Sequence, residues 1–354
     1  MKKLLSSKLS KNYMITFGIV IVGFIVIQLL IPTGLLSSTF QGLLVNLCYY
    51  VILAVSLNLT VGILGELSLG HAGFMCIGAF TSAFFTNAMA DSIESDFVRF
   101  LIGLVIGTVA AGVFGILIGI PVLRLSGDYL AIVTLAFGQI IVNIFTVLYV
   151  GVDSHGIHIA LTSEGLGLEE GGKLILKGAQ GITGTPRVAT FVIGIILVLL
   201  TLFIVLNFIN SRAGRAVMAI RDNKIAAESV GINVSKYKIL AFSISAALAG
   251  MAGVLYAHNI SSLTATTAKF GYTQSIMILV FVVLGGIGSI RGSMIAAIIL
   301  TLLPEYLRFL QDYRMLIYAI VLIVMMIATW NPTCKAFLAK HSPKNWFKKK
   351  KEVK

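Results

Sequence analysis

Nine stretches of this chain run for roughly the twenty residues of a bilayer crossing with almost no charge: 14–31, 43–64, 70–90, 100–120, 129–150, 188–209, 239–257, 272–290 and 315–331. In a hydrocarbon core about 30 Å thick, a helix of about 20 residues satisfies every backbone N–H and C=O within one crossing segment. A hydrophobic content of 58% with a mean hydropathy of +0.98 lies well outside the ~45–50% apolar usage of soluble chains. The expected fold class is therefore all-α, a polytopic transmembrane helical bundle. A tenth run, 292–310, is interrupted by Pro304, Glu305 and Arg308. Basic segments stay cytoplasmic, and lysines crowd both ends of the chain, so the number of crossings is even. About ten spans with both termini cytoplasmic is the expectation, although a re-entrant segment would imitate a pair of spans.

The formal charge of +13 gathers at Lys2, Lys3, Lys8 and Lys11 and again at Lys335, Lys340, Lys344, Lys348, Lys349, Lys350, Lys351 and Lys354. Beside apolar spans such clusters fix cytoplasmic ends and touch anionic lipid; they do not call for nucleic acid. The expected organisation is a basic cytoplasmic amino terminus at 1–13, a transmembrane domain at 14–331 and a basic cytoplasmic tail at 332–354. The run 14–31 follows lysines as a signal peptide would, yet continues into Pro32-Thr33-Gly34 without a small-residue cleavage site, so it reads as a retained span. Parity puts the acidic connection Asp91, Glu94, Asp96 outside, the long loop 151–187 outside and the basic loop 211–238 inside. Cys48, Cys76 and Cys334 lie in or beside apolar runs and indicate no disulfide framework.

The loop 211–238 is the one long polar interruption that reads as a folded element. Ala216, Ala219, Ile220, Ala227 and Val230 recur at helical spacing, broken only by Asn223. Arg215, Arg221, Asp222, Lys224 and Glu228 fall outside that stripe, and Gly231 stands where a helix would stop. Two readings stand: an interfacial helix that sets topology, or a coupling helix on which a cytoplasmic motor pushes.

A second polar interruption is GILGELSLGHAGFMCIGAF, 62–80, with glycines at 62, 65, 70, 73 and 78 around Glu66, Ser68 and His71. A carboxylate inside a bilayer costs at least ~2.5–3.5 kcal/mol, so it faces a cavity, a partner or a helix end. Either Glu66, Ser68, Gly70, His71 and Gly73 line a translocation path at a broken helix, or Glu66 sits in a turn at the aqueous boundary with His71 packed or bonded nearby. Elsewhere the small residues Gly103, Gly107, Ala111, Gly115 and Gly119 recur every four positions, and Ala246, Ala249, Gly250 and Gly253 form a similar set; both predict close helix packing. Ser126 or Asp128 caps a helix start beside Arg124, with gating as the other reading. His155 and His158 read as a surface pair, without the further ligands a metal site needs.

These segments resemble one family. IAAESVGIN (225–233) is similar to the Glu-Ala-Ala loop region of bacterial ABC importer permeases, and with GRAVMAIRDNKIAAE (214–228) it resembles branched-chain amino acid permeases of LivM type. LNLTVGILGELSLGHAGFMCIGA (57–79), GDYLAIVTLAFGQII (127–141), QGITGTP (180–186) and VFVVLGGIGSIRGSMIAAIILTLLPEYL (280–307) resemble the same family. Two departures stand out: Glu66, where the family commonly has glutamine, and a longer, more charged 161–180 with Glu164, Glu169, Glu170, Lys173 and Lys177.

The resemblance implies two cytoplasmic ATP-binding subunits, a second homologous permease and an extracytoplasmic solute-binding protein, all in a bacterial cytoplasmic membrane. It also implies coupling to the ATPase through Arg215, Arg221, Ala226, Ala227, Glu228 and Gly231. The chain has no Gly-x-x-x-x-Gly-Lys-Ser/Thr phosphate cradle, so ATP is expected to be used by the partner subunits, with no cofactor and no enzymatic site in this chain. The implied cargo is leucine, isoleucine and valine. Urea, amides and simple sugars remain alternatives, as does an ion-coupled secondary transporter using Glu66, Asp128 or Arg291.

Overall fold

The computed structural model describes residues 2–30, 38–125, 127–168, 172–307 and 313–330. Within them the chain forms helices α1 (Lys2–Leu30), α2 (Ser38–Asn58), α3 (His71–Ala88), α4 (Asp96–Val122), α5 (Asp128–Val147), α6 (Phe191–Asn210), α7 (Arg212–Asp222), α8 (Lys224–Ser229), α9 (Val234–Ala257), α10 (Thr267–Phe270), α11 (Tyr272–Gly285), α12 (Ile290–Tyr306) and α13 (Arg314–Trp330). Six helical segments among the described residues are long and apolar enough to cross a membrane: 42–64, 96–122, 128–147, 191–210, 234–257 and 267–285. Residues 292–306 of the tenth run lie in α12, with Pro304 inside it. The chain divides into two compact units, 1–297 and 298–354, and the second contains α13. The tail 332–354, Ser126, Glu169, Glu170, Arg308 and the turn Pro32-Thr33-Gly34 lie outside the described residues.

The centre of the first unit is a bundle of α3, α4 and α9, with α2 against α9. Their packing follows the small residues. On α4, Gly103, Gly107, Ala111, Gly115 and Gly119 are all buried, while Val105, Val109 and Leu117 point outward. This reverses a soluble helix: lipid accepts the large apolar side chains, and the small residues let backbones meet. A Cβ on Gly107 would stand 2.7 Å from the Gly78 carbonyl oxygen, and one on Gly250 would stand 3.0 Å from the Gly107 carbonyl oxygen. One on Gly78 would overlap the backbone of Gly250. Three helices thus touch backbone to backbone at one level.

The expectation of an all-α chain needs correction at the α5–α6 connection, 151–187. It folds with a later segment into a five-stranded antiparallel sheet of order β2-β1-β3-β4-β5, with β1 Tyr149–Asp153, β2 Gly156–Ala160, β3 Lys173–Lys177, β4 Ile182–Thr183 and β5 Ser262–Leu263. The β1–β2 turn is closed by Asp153, whose Oδ1 accepts from the N–H groups of His155 (2.9 Å) and Gly156 (3.1 Å). His158 Nε2 lies 2.9 Å from Asp153 Oδ2, so the partner of this histidine is a carboxylate of its own hairpin. Lys173 forms an ion pair with Asp91, tying β3 to the α3–α4 connection. Strands of two to five residues, one of them about eighty residues away, leave too little alternation to read.

Candidate functional site

The site begins where α2 stops being regular. Leu59–Leu64 winds as a π-helix, a wider turn that recurs at functional breaks. Gly65 ends it with φ +79, and the N–H groups of Gly65 and Glu66 both turn back to the Thr60 carbonyl oxygen. Any other residue at 65 would pay for the left-handed backbone, and its Cβ would stand 2.5 Å from Arg221 Cγ. The chain then runs without regular structure to His71, where α3 starts.

The carbonyls at this helix end need donors from elsewhere. Arg221 Nη1 reaches across from α7 and donates to Gly62 O at 2.9 Å, while Arg221 Nε and Nη2 both bond Asp222 Oδ1. Asn58, fully buried, accepts from Gly288 N–H at 2.8 Å and donates to Ser293 Oγ at 2.7 Å. Gly62 is the residue that leaves room for this, because a Cβ there would collide with both Asn58 and Gly288. One break therefore holds α7 on one side and the Gly286–Ser289 turn on the other.

Glu66, next along, forms an ion pair with Lys238 in the second turn of α9; the two side chains are 13% and 9% exposed. They line a recess of about 240 Å³ with Gly65, Arg124, Arg221 and Lys224. Four cations and one carboxylate leave it electropositive. His71 is buried, with Nε2 2.8 Å from Ser56 Oγ, and that hydroxyl already donates to Leu53 O at 3.0 Å, so His71 Nε2 is the donor. Gly70 packs on the Thr134 backbone, and a Cβ on Gly73 would stand 2.8 Å from Gly138 Cα. Leu69 N–H donates to Thr134 Oγ1 at 3.0 Å, and the Ser68 hydroxyl is buried with no partner among the described residues. Of the five path candidates, Glu66 lines this recess; Gly70, His71 and Gly73 are positions where α2, α3 and α5 close on one another.

The 211–238 loop is two short helices, not one. Ser211 Oγ caps α7 by accepting from Gly214 N–H at 3.1 Å. Asn223, extended at φ −157, caps α8 by accepting from Ala226 N–H at 3.0 Å, and Asn233 caps α9 in the same way from Lys236 N–H at 3.0 Å. The residue read as a flaw in one stripe is the start of a second helix. The buried positions are correspondingly Gly214, Val217, Ile220 and Ala227; of the predicted stripe, Ile220 and Ala227 are buried, Ala216 is half-buried, and Ala219 and Val230 are exposed. Val217 packs with Leu59, Ile63 and Leu64 of the π-helical segment, so α7 rests on the break itself. Ala227 packs with Ile220 and Val234.

Arg215 Nη1 donates to Asn210 O at 2.7 Å, tying α7 to the end of α6. Gly231 has φ +83 and donates to Glu228 O at 3.0 Å. Ala226 and Glu228 are exposed, beside Ile225 at 80% and Val230 at 74% exposure. Residues missed from sequence are Val217, Asn58 and Lys238. The last carried a signal: it is the cation nearest the start of the apolar run 239–257, and Glu66 is a lone anion at the edge of another.

Residues 39–328 match the family described as branched-chain amino acid transport system / permease component. The high-affinity branched-chain amino acid transport system permease protein LivM of Escherichia coli is 35% identical over 293 residues, covering 80% of this chain and 66% of its own length. The LivM protein of Salmonella typhimurium is 34% identical with the same coverage. The LivH permease protein of Salmonella typhimurium is 26% identical over 301 residues, 82% of this chain and 93% of its own. The chain thus spans 66% of the length of the LivM relatives it matches. No solved structure matches.

Proposed function

The chain belongs to the branched-chain amino acid transport permease family, and from that membership we propose that it is the membrane-spanning subunit of an ATP-driven, binding-protein-dependent importer of leucine, isoleucine and valine. It is a multi-pass membrane protein, and the bacterial cytoplasmic membrane is the proposed location. α1, α2, α3, α4, α5, α6, α9, α11, α12 and α13 supply ten crossings in this reading, with 1–13 and 332–354 cytoplasmic, 14–331 as the permease domain, 151–187 external and 211–238 cytoplasmic. The proposed partners are two ATP-binding subunits, which use the ATP, a second related permease and an external solute-binding protein.

The observation that carries the proposal is the seat of α7 on the π-helical break. A cytoplasmic motor that grips α8 at Ile225, Ala226, Glu228 and Val230 acts on α7 through the buried Ile220 and Ala227 contact. α7 in turn bears on Leu59, Ile63 and Leu64 through Val217 and on Gly62 through Arg221. Asn58 passes the displacement to the turn before α12. A break of this kind changes winding at low cost, because its hydrogen bonds are already shared with side chains. Glu66, with Lys238, keeps the loop seated while the helices move; its charge is balanced inside the chain and is not needed for ion coupling.

The test is gentle purification from native membranes with identification of the chains that remain bound, followed by uptake of labelled leucine in proteoliposomes. Recovery of ATP-binding subunits and ATP-dependent uptake support the importer. A protein that stays alone, with uptake that collapses on addition of a protonophore and survives ATP removal, overturns it.

A further inference from the structure

A second recess is built from three of the same helices and the segment that follows them. It encloses about 180 Å³ and is lined by Tyr49 and Tyr50 of α2, Met75 of α3, Tyr256 of α9, Lys269 of α10 and Gln274 of α11. Five elements converge on it. Lys269 is the third residue of the apolar crossing segment 267–285 and is exposed, and its ammonium has no ion-pair or hydrogen-bond partner among the described residues. At the end of a span a lysine ammonium reaches the aqueous boundary, where a solute's carboxylate can meet it.

The recess is held rigidly. Tyr49 and Tyr256 meet edge to face with centroids 5.3 Å apart, Tyr49 and Tyr50 lie 4.4 Å apart, and Tyr256 meets the fully buried Phe270 at 5.5 Å. α10 is pinned by Gln139 Nε2, which donates to Thr267 Oγ1 at 3.1 Å, and the chain before it by Thr146 Oγ1, which donates to Ala265 O at 3.0 Å. A new helix, α11, starts directly after at Tyr272 with no side-chain cap, so its first N–H groups add positive potential beside Lys269. The volume is below the ~300 Å³ of pockets for drug-sized ligands, which suits one small solute.

We propose that this recess binds the transported solute as a free amino acid, with the carboxylate on Lys269, the ammonium over the tyrosine faces and the apolar side chain against Met75. The assignment rests on the importer reading above. An ammonium over aromatic rings is a favourable pairing, and a carboxylate gives Lys269 the partner it lacks. The recess then selects for a zwitterion with an apolar side chain, and Lys269 does so by charge, not by shape.

The test uses the assembled importer in proteoliposomes with its binding protein and ATP. Lys269→Met is expected to lower leucine uptake roughly tenfold or more, the loss of one charge-assisted contact, while Lys269→Arg retains most of it. Ala268→Cys, at an exposed position on the recess lining, is expected to react with a thiol reagent, to be protected by leucine and not by leucinol, and to lose that protection when combined with Lys269→Met. ATP-driven uptake unchanged by Lys269→Met, or equal protection by leucine and leucinol, overturns the site and leaves the importer reading standing. Loss of the partner chains from purified Lys269→Met also overturns it, because Lys269 is then an assembly contact. Leucine protection of Ala268→Cys alongside uptake that needs no ATP keeps the site and overturns the importer.

Discussion

Glycine is used in two opposite ways at two levels of this bundle. At the level of Gly78, Gly107 and Gly250, it sits in regular helices and removes the side chain that would hold them apart. At the level of Gly62 and Gly65, it sits where a helix loosens and ends, and the space it leaves is filled by side chains from far away, Asn58 with Gly288 on one side and Arg221 on the other. The first arrangement fixes three axes. The second leaves a joint held by hydrogen bonds that can be exchanged. The difference separates a close-packed frame from a joint held by side chains.

That distinction can be broken most severely at the frame. Gly78→Val places a branched side chain against the Gly250 backbone, which has no rotamer to yield; overpacking beyond the usual ~1–3 kcal/mol is expected. Size-exclusion of a fluorescent fusion should show aggregate only, and a monodisperse peak would mean that the three-helix contact is looser than described. Next in size is the ion pair at the joint. Glu66→Gln or Lys238→Met alone is expected to destabilise by about 2 kcal/mol, less than the ~3–5 of a fully buried pair because both side chains keep some solvent. The double variant should recover part of the loss in a thermal unfolding series.

Smaller in stability and larger in function is Arg221→Ala. Removing one donor from the Gly62 carbonyl costs about 1 kcal/mol of folding, yet ATP hydrolysis should continue with leucine uptake reduced severalfold. Equal loss of both activities would assign Arg221 to assembly and not to coupling. The smallest effect on the subunit alone is expected at Val230→Ser, within about ±0.5 kcal/mol because the side chain is exposed. Its test is copurification with the ATP-binding subunits, which should weaken.

Features with a local period were legible in the sequence: the apolar runs, the every-fourth small residues on α4 and the glycine at 231. The turn at Glu66 was one of two open readings, and the structure places it beside Lys238. What escaped notice depends on contacts across the chain. Arg221 and Gly62 are 159 positions apart, Asn58 and Gly288 are 230 apart, and no periodicity reports such pairs. The segment 211–238 was misread for a different reason: one continuous helix was assumed, and the break at Asn223 shifts the phase, exposing Ala219 and Val230 and burying Val217. The sheet was missed because its strands are short and β5 comes from beyond α9.

That last strand has a consequence for biogenesis. β4 waits for β5, which is synthesised about 80 residues later, after α6, α7, α8 and α9. At ~5–20 residues per second the gap is roughly 4–16 s, during which β4 has an unpaired edge. Closure of the sheet requires that 262–263 reach the same side as 182–183, so it registers correct threading of every span made in between. A protease added on that side of the membrane during synthesis should cut the waiting edge in nascent chains and spare it in finished ones.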